Sequence, residues 1–457
     1  MTVANGNESQ LFQTADEAVH WITSRMPFGI RPGLKRMERF MERFGHPERR
    51  LKFIHVAGTN GKGSTCAYLT SVLIANGYDV GTFTSPYIER YQNRIQYNGE
   101  DIGDEVLLKL VNRIKPVFDE IAESELGPPT MFEVSTVLAI LYFAQEVYPD
   151  FVVWETGLGG RLDSTNIVTP IVSVITNIGH DHMEILGDTI EKVAAEKAGI
   201  IKPGVPVVSA VEQPEAIGVL RKTAAERKCT LYLMNEHFSY QAVSTELDRQ
   251  ALHFSGPFRS IENVRISLNG AHQLKNAALA LMTLEVLRQY YAVVQEDEQL
   301  LEGMLTASWP GRLEMISRSP RILIDGAHNP EGAKTLADAL RSVYRYDKLH
   351  LLAAMMPTKQ HEDVFRELVP LADTLIVTEP DFFKKADAEH LAELAGRIAA
   401  ESGKKIEIKV EKDWKTALRL LKERTGEEDL GVVTGTLYLI SDVRSWMLHG
   451  KGSDKGW

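Results

Sequence analysis

Along this chain, short apolar runs alternate with helical patterns, and each run ends in residues that carry chemistry. Phe53–Ala57, Asp79–Thr84, Phe151–Trp154 and Val172–Thr176 read as strands. Short apolar runs bounded by turn residues are the mark of strands buried on both faces of a parallel sheet. Periodic patterns predict helices over Ser64–Asn76, 103–122, 130–143 and 189–198, the last with a capping box from Asp188 to Glu191 and a stop at Gly199. Ahead of them, residues 13–50 read as two helices around a turn at Pro27–Gly33. The second, Leu34–Phe44, sets Leu34, Met37, Phe40, Met41 and Phe44 on one face. Residues 203–268 give short β patterns and a helix near 213–227, followed by a helix over Gln273–Tyr290.

Trp309-Pro310-Gly311-Arg312 has the character of a domain junction. Beyond it the alternation restarts, with strands near 321–325, 349–354, 374–378, 405–410 and 431–434. Helices near 331–344, 361–369, 387–401 and 413–424 separate them, which predicts a second open α/β sheet. The expected division is 1–308 and 309–457.

Composition narrows the class. At 457 residues the chain exceeds one core, and 25% charged with 44% hydrophobic residues is ordinary globular usage. A net charge of −11 argues against nucleic acid as a partner. Cys66 and Cys229 form no metal spacing and no disulfide framework. The polar start lacks a signal peptide's apolar core, and no apolar run approaches the ~18 residues of a membrane span, so a cytoplasmic protein without membrane contact is expected.

The chemistry concentrates at strand ends. Gly58-Thr59-Asn60-Gly61-Lys62-Gly63-Ser64-Thr65 joins a strand to a helix. Its glycines let backbone N–H groups turn around an anion, and the helix N-terminus adds partial positive charge. Lys62 can reach outer phosphates, and a Ser64 or Thr65 hydroxyl can sit on Mg²⁺. Gly63 separates lysine from hydroxyl, unlike the common GxxxxGK[ST] pattern. Ser85 is either a magnesium ligand or a turn opener before Pro86, and Glu155 either a metal-positioning carboxylate or the cap of a glycine-rich turn. His180 and His182 flank a loop that either binds a metal or makes single hydrogen bonds. Lys197 falls on the apolar stripe of its helix, which leaves two readings: a snorkelling ammonium, or a desolvated amine able to form a carbamate with CO₂. Asn276 either contacts a ligand or caps, and Asp325-Gly326-Ala327-His328-Asn329-Pro330 is either a site or a plain turn.

Taken in order, Arg31–Leu34, His55–Thr65, Thr84–Tyr87, Glu155–Asp163, Asn177–Gly187, Glu196–Gly199, Gly311–Glu314 and Asp325–Asn329 resemble the folylpolyglutamate synthases of the Mur ligase superfamily, with or without dihydrofolate synthase activity. The resemblance implies an N-terminal P-loop ATPase-like domain with a parallel central sheet and a smaller C-terminal Rossmann-like α/β domain. It implies ATP phosphates held by Gly58–Ser64, Mg²⁺ held by Ser85, Glu155 and His182, and Lys197 carried as a carbamate. Asn276 and Arg312 match nucleotide-contacting positions, and Asp325 and His328 match positions at the nucleotide and amino-acid end of the cleft. The Ser85–Arg94 loop and Thr130–Glu133 would border the pterin site. The implied substrates are ATP, L-glutamate and a folate or dihydropteroate, and a monomer is the default expectation. The rivals are another Mur-type amino-acid ligase, which should carry a larger N-terminal domain for its sugar nucleotide, a non-ligase nucleotide triphosphatase, and a non-catalytic nucleotide-binding scaffold.

Overall fold

The four apolar runs of the first half become neighbours in one sheet. The structure, a computed structural model, describes residues 11–25, 31–180, 182–247 and 249–453. Pro27–Ile30 of the predicted turn, and Asp181, lie outside them. The sheet runs Glu100–Asp101, Ile95–Tyr97, Val80–Phe83, Phe151–Glu155, Phe53–Ala57, Val172–Ile175, Val207–Ser209, Leu231–Leu233. From Val80–Phe83 onward every pairing is parallel. The central strand is buried at every residue because helices cover both faces. Ile54 and Val56 join a core with Leu69 and Val72 of the Lys62–Ala75 helix and Leu281 of the Ala271–Tyr291 helix. Phe53 joins the opposite core, with Leu138 of the Met131–Tyr142 helix and Leu110 of the Asp104–Glu123 helix.

A second sheet holds Glu314–Arg318, Arg321–Ile324, Leu430–Thr434, Leu349–Ala353, Thr374–Glu379 and Glu407–Asp413, in that order. Only its first strand is antiparallel. Arg321–Ile324 and Leu430–Thr434 lie side by side near its middle, so the segments leaving their carboxyl ends share one crevice, where open α/β sheets bind ligands.

Three local features differ from expectation. The helix over Ile190–Ala198 is capped by Thr189, whose side chain accepts the Lys192 N–H; Asp188 instead pairs with Lys192 Nζ at 2.7 Å. Ser239–Glu246, Arg249–Ser255 and Ser260–Ile266 form a separate antiparallel sheet, docked on the first core through Leu252, Phe254 and Val264. The helices Asp297–Thr306 and Leu437–His449 have no counterpart in the sequence reading. No helix among the described residues is long and apolar enough to cross a membrane.

The last helix ties the second half to the loop after Ser85. Arg444 pairs with Glu89 at 2.6 Å and Glu314 at 3.0 Å, His449 Nε2 lies 3.3 Å from Glu89, and the Ser441 hydroxyl donates to the Ile88 carbonyl.

Candidate active site

The carboxyl ends of the parallel strands of both sheets open into one cleft of about 470 Å³. Gly58–Ser64, Ser85, Glu155, His182, Lys197, Asn276, Arg312, Asp325 and His328 all line it. Thr65 of the loop does not, nor does His180. The Thr65 side chain is buried and its hydroxyl donates to the Gly61 carbonyl at 2.9 Å, one helical turn back. Between the two hydroxyls left open by sequence, only Ser64 faces the cleft.

The phosphate-type loop is held from outside itself. Thr59 N–H donates to the Asn177 carbonyl at 3.1 Å, Asn60 N–H to Asn177 Oδ1 at 2.8 Å, and Thr176 Oγ1 to the Asn60 carbonyl at 2.6 Å. Gly61 sits at φ +80°, where a side chain is strained, and a Cβ there would stand 2.5 Å from Asn276 Oδ1. Gly63 has a different reason to lack a side chain: a Cβ would meet Trp309 Cζ2 at 2.2 Å. The glycine that departs from the common loop pattern thus makes room for the junction tryptophan. Lys62 Nζ donates to the Gly58 and Thr59 carbonyls at 3.2 and 3.3 Å and lies 4.0 Å from Glu155 Oε1.

Glu155, 3% exposed, is pushed up to about 7 by burial, against the pull of Lys62 and the Ser85 N–H that it accepts at 2.9 Å. A hydroxyl at Ser85 and a carboxylate at Glu155 are hard oxygen donors suited to a divalent cation bound with phosphates, and the imidazole of His182 adds a borderline nitrogen donor. His182 takes a left-handed backbone, φ 51° and ψ 42°, at the start of the short Met183–Leu186 helix, an uncommon conformation outside glycine. Lys197 is 3% exposed and lines the cleft, so its amine is not carried out to solvent as snorkelling requires.

On the facing wall, Asp325 and His328 leave the same strand end with different geometries. Asp325 Oδ2 accepts the Leu313 N–H and Oδ1 the Ala327 N–H, each at 2.9 Å. Burial pushes its carboxyl up, while Arg312 and those two N–H groups oppose the shift. His328 Nδ1 lies 2.7 Å from the Gly326 carbonyl. A carbonyl only accepts, so in the neutral ring Nδ1 carries the proton and Nε2 keeps a lone pair.

Sequence reasoning passed over Gln273, whose amide donates to Ser64 Oγ at 3.1 Å, and Glu331, whose carboxylate crosses the cleft to Asn60. Both sit in helices that it recognised, but polar residues there gave no signal of direction. Thr130–Glu133 does not line the cleft; Glu133 completes a capping box with Thr130 and pairs with Arg36 at 2.9 Å. Phe132 packs against Gly157 of the cleft wall, where a Cβ would stand 2.5 Å away. Glu379, Asp387 and Glu389 gather three carboxylates within metal-ligating range, but Lys412 pairs with all three and none lines the cleft.

Residues 56–284 match the Mur ligase middle domain and residues 311–437 the Mur ligase glutamate ligase domain. The dihydrofolate synthase/folylpolyglutamate synthase of Bacillus subtilis is 40% identical over 95% of this chain and 99% of its own length. A folylpolyglutamate synthase structure from Thermotoga maritima aligns with a TM-score of 0.84 at 31% identity, covering 96% of this chain and 99% of its own. The Mycobacterium tuberculosis folylpolyglutamate synthase, solved with ADP and AMPPCP, aligns with a TM-score of 0.87 at 26% identity, covering 96% of this chain and all of its own (100%).

Proposed function

This chain belongs to the Mur ligase family and, within it, to the folylpolyglutamate and dihydrofolate synthases, and from that premise we propose how its cleft couples ATP to amide formation. It is an ATP-dependent ligase that adds L-glutamate to a folate. The reading is carried by one observation: the phosphate-type loop of the first half and the Asp325–His328 turn of the second line the same cleft. A non-ligase triphosphatase has no use for the second wall.

A carboxylate is a poor acyl donor because its leaving group would be oxide. Transfer of the γ-phosphoryl group of ATP to the folate γ-carboxylate gives an acyl phosphate and ADP. Attack by the glutamate amine then gives the amide and releases phosphate. Gly58–Ser64 offers backbone N–H groups to the phosphates, and Lys62 leaves the loop carbonyls to meet the developing charge, the main protein contribution to phosphoryl transfer. Ser85, Glu155, His182 and Ser64 would hold Mg²⁺, with Lys197 as a carbamate, a change from cation to anion that suits its place on this wall. Bound there, Mg²⁺ neutralises phosphate charge and orients the transferring group. Asn276 and Arg312 are assigned to the nucleotide. His328 Nε2 is assigned to accept the amine's proton, and Asp325 to hold the turn and the junction in register, because both its oxygens are engaged by backbone. We keep the expected domain boundary at 308/309, with Trp309 beginning the second domain, and a monomer as the expected working unit.

ADP release by the purified protein with ATP, Mg²⁺ and L-glutamate tests this, comparing tetrahydrofolate, dihydropteroate and no acceptor. Release with tetrahydrofolate alone means a polyglutamate synthase, and release with both acceptors means a bifunctional enzyme. Release that ignores the acceptor defeats the ligase reading.

A further inference from the structure

Among the described residues, three carboxylates line the cleft: Glu155, Asp325 and Glu331. Glu155 receives the Ser85 N–H and faces Lys62, and Asp325 has both oxygens on backbone N–H groups. Glu331 is placed differently. It stands in the first turn of the Pro330–Ser342 helix, yet its oxygens are directed at the opposite wall. Oε2 accepts from Asn60 Nδ2 at 3.3 Å, and Oε1 accepts the His180 N–H at 3.2 Å. Gly179 leaves room for it, since a Cβ there would stand 2.0 Å from Oε2. An acidic first turn is favourable in any helix, but a carboxylate serving only that end need not bridge a cleft.

Resting on the ligase reading, we infer that Glu331 recognises the α-ammonium of the incoming glutamate. The attacking nitrogen arrives as an ammonium, on a glutamate whose two carboxylates leave it net negative. It must reach an acyl phosphate formed beside the loop and give up a proton there before it attacks. The side chains on the way, Lys62, Lys275, Arg312 and Lys359, suit the anions of the reaction and repel an ammonium. Glu331 supplies the opposite charge on the wall that faces the loop, at Asn60, the residue before Gly61. An ammonium can take the place of the neutral Asn60 amide on Oε2, because a charge-assisted hydrogen bond is the stronger one. Glu331 then holds the amine between the loop and His328, which leaves the helix start two residues earlier in the chain. The inferred selectivity is for acceptors of the acyl group whose amine arrives protonated, as an α-ammonium.

The test is Glu331→Gln, with Glu331→Asp as the charge-keeping control, each verified by melting temperature and ADP affinity. Steady-state kinetics separates the KM for glutamate from those for ATP and tetrahydrofolate, and neutral hydroxylamine serves as a second nucleophile that traps the acyl phosphate as a hydroxamate. The glutamate KM of Glu331→Gln is expected to rise about ten- to a hundredfold, the worth of one hydrogen bond to a charged group, with hydroxamate formation unchanged. Glu331→Asp is expected to recover part of the loss. An unchanged glutamate KM, or an equal loss with hydroxylamine, overturns the assignment in favour of a latch between the walls. If the unaltered protein forms hydroxamate but shows no glutamate-dependent turnover, the ligase reading falls and takes this inference with it.

Discussion

The two walls of the cleft solve the problem of holding polar groups in place by different means. The loop itself is held through backbone: Thr59 and Asn60 are fixed by residues at the end of the neighbouring strand, and its glycines admit Thr176, Asn276 and Trp309 at close range. The facing wall is made of side chains on one turn, and Asp325 fixes that turn by accepting two N–H groups. A backbone wall suits an anion whose shape is constant. A side-chain wall, carried on a separate sheet, suits steps that need a proton acceptor and a charged recognition group. On the ligase reading, the difference teaches that the loop backbone is built for the phosphates while the facing turn is built for the amine.

The comparison can be broken most severely at Lys197. Lys197→Ala should lower turnover by about a hundredfold or more, as losing a preorganised charged group does, while calorimetry still detects ATP binding. Near-normal turnover would remove Lys197 from the chemistry. On the facing wall, Asp325→Ala leaves the Leu313 and Ala327 N–H groups without their acceptor. The expected loss is about 1–3 kcal/mol of stability for each buried group, read by urea unfolding, with activity lost too. If Asp325→Ala keeps its stability and loses only turnover, the carboxylate is chemical rather than structural. Gly63→Ala tests the loop wall. Contact with Trp309 should cost about 1–3 kcal/mol and weaken nucleotide binding, and Trp309→Leu should restore part of both.

The smallest effect is a pH dependence confined to the loop wall. Burial pushes His55, fully enclosed beneath the loop and 3.0 Å from Thr165 Oγ1, down to about 3 from an ordinary value of 6.5. Its folded form binds fewer protons than the unfolded chain between those values. The stability it contributes is therefore complete above the unfolded value and is lost as pH falls below it, by about 1 kcal/mol at pH 5.5. Asp163, on the same threonine, is shifted up by burial and opposes this trend, so the measurement is the pH dependence of wild type minus that of His55→Gln. A flat difference would show that the histidine is not the titrating group.

What the sequence made legible follows the same division. The loop wall depends on neighbours in the chain: a strand, the four turn residues Gly58–Gly61, a helix. Its strands and glycines could be read directly, and Phe53–Ala57 falls where the apolar run lies. Thr65 could not be separated from Ser64, because the rotation of one side chain back onto Gly61 leaves no trace in composition. Nor could Asp325 be told from His328, since what separates them is the Leu313 amide, twelve residues away. The antiparallel sheet over 239–266 lacked a clean alternation because much of it is exposed on both faces. The Thr189 cap shows the usual slip of one residue between two capable capping side chains.

The contacts of Arg444, His449 and Ser441 with Ile88 and Glu89 have a thermodynamic meaning. They fasten the loop that follows Ser85 to the final helix of the other half. A ligand that orders this loop therefore biases the angle between the halves, and a ligand that sets that angle biases the loop. Such linkage is reciprocal: whatever factor ATP contributes to the affinity for the acceptor, the acceptor returns to ATP. Severing Arg444 from Glu89 would reduce both factors together.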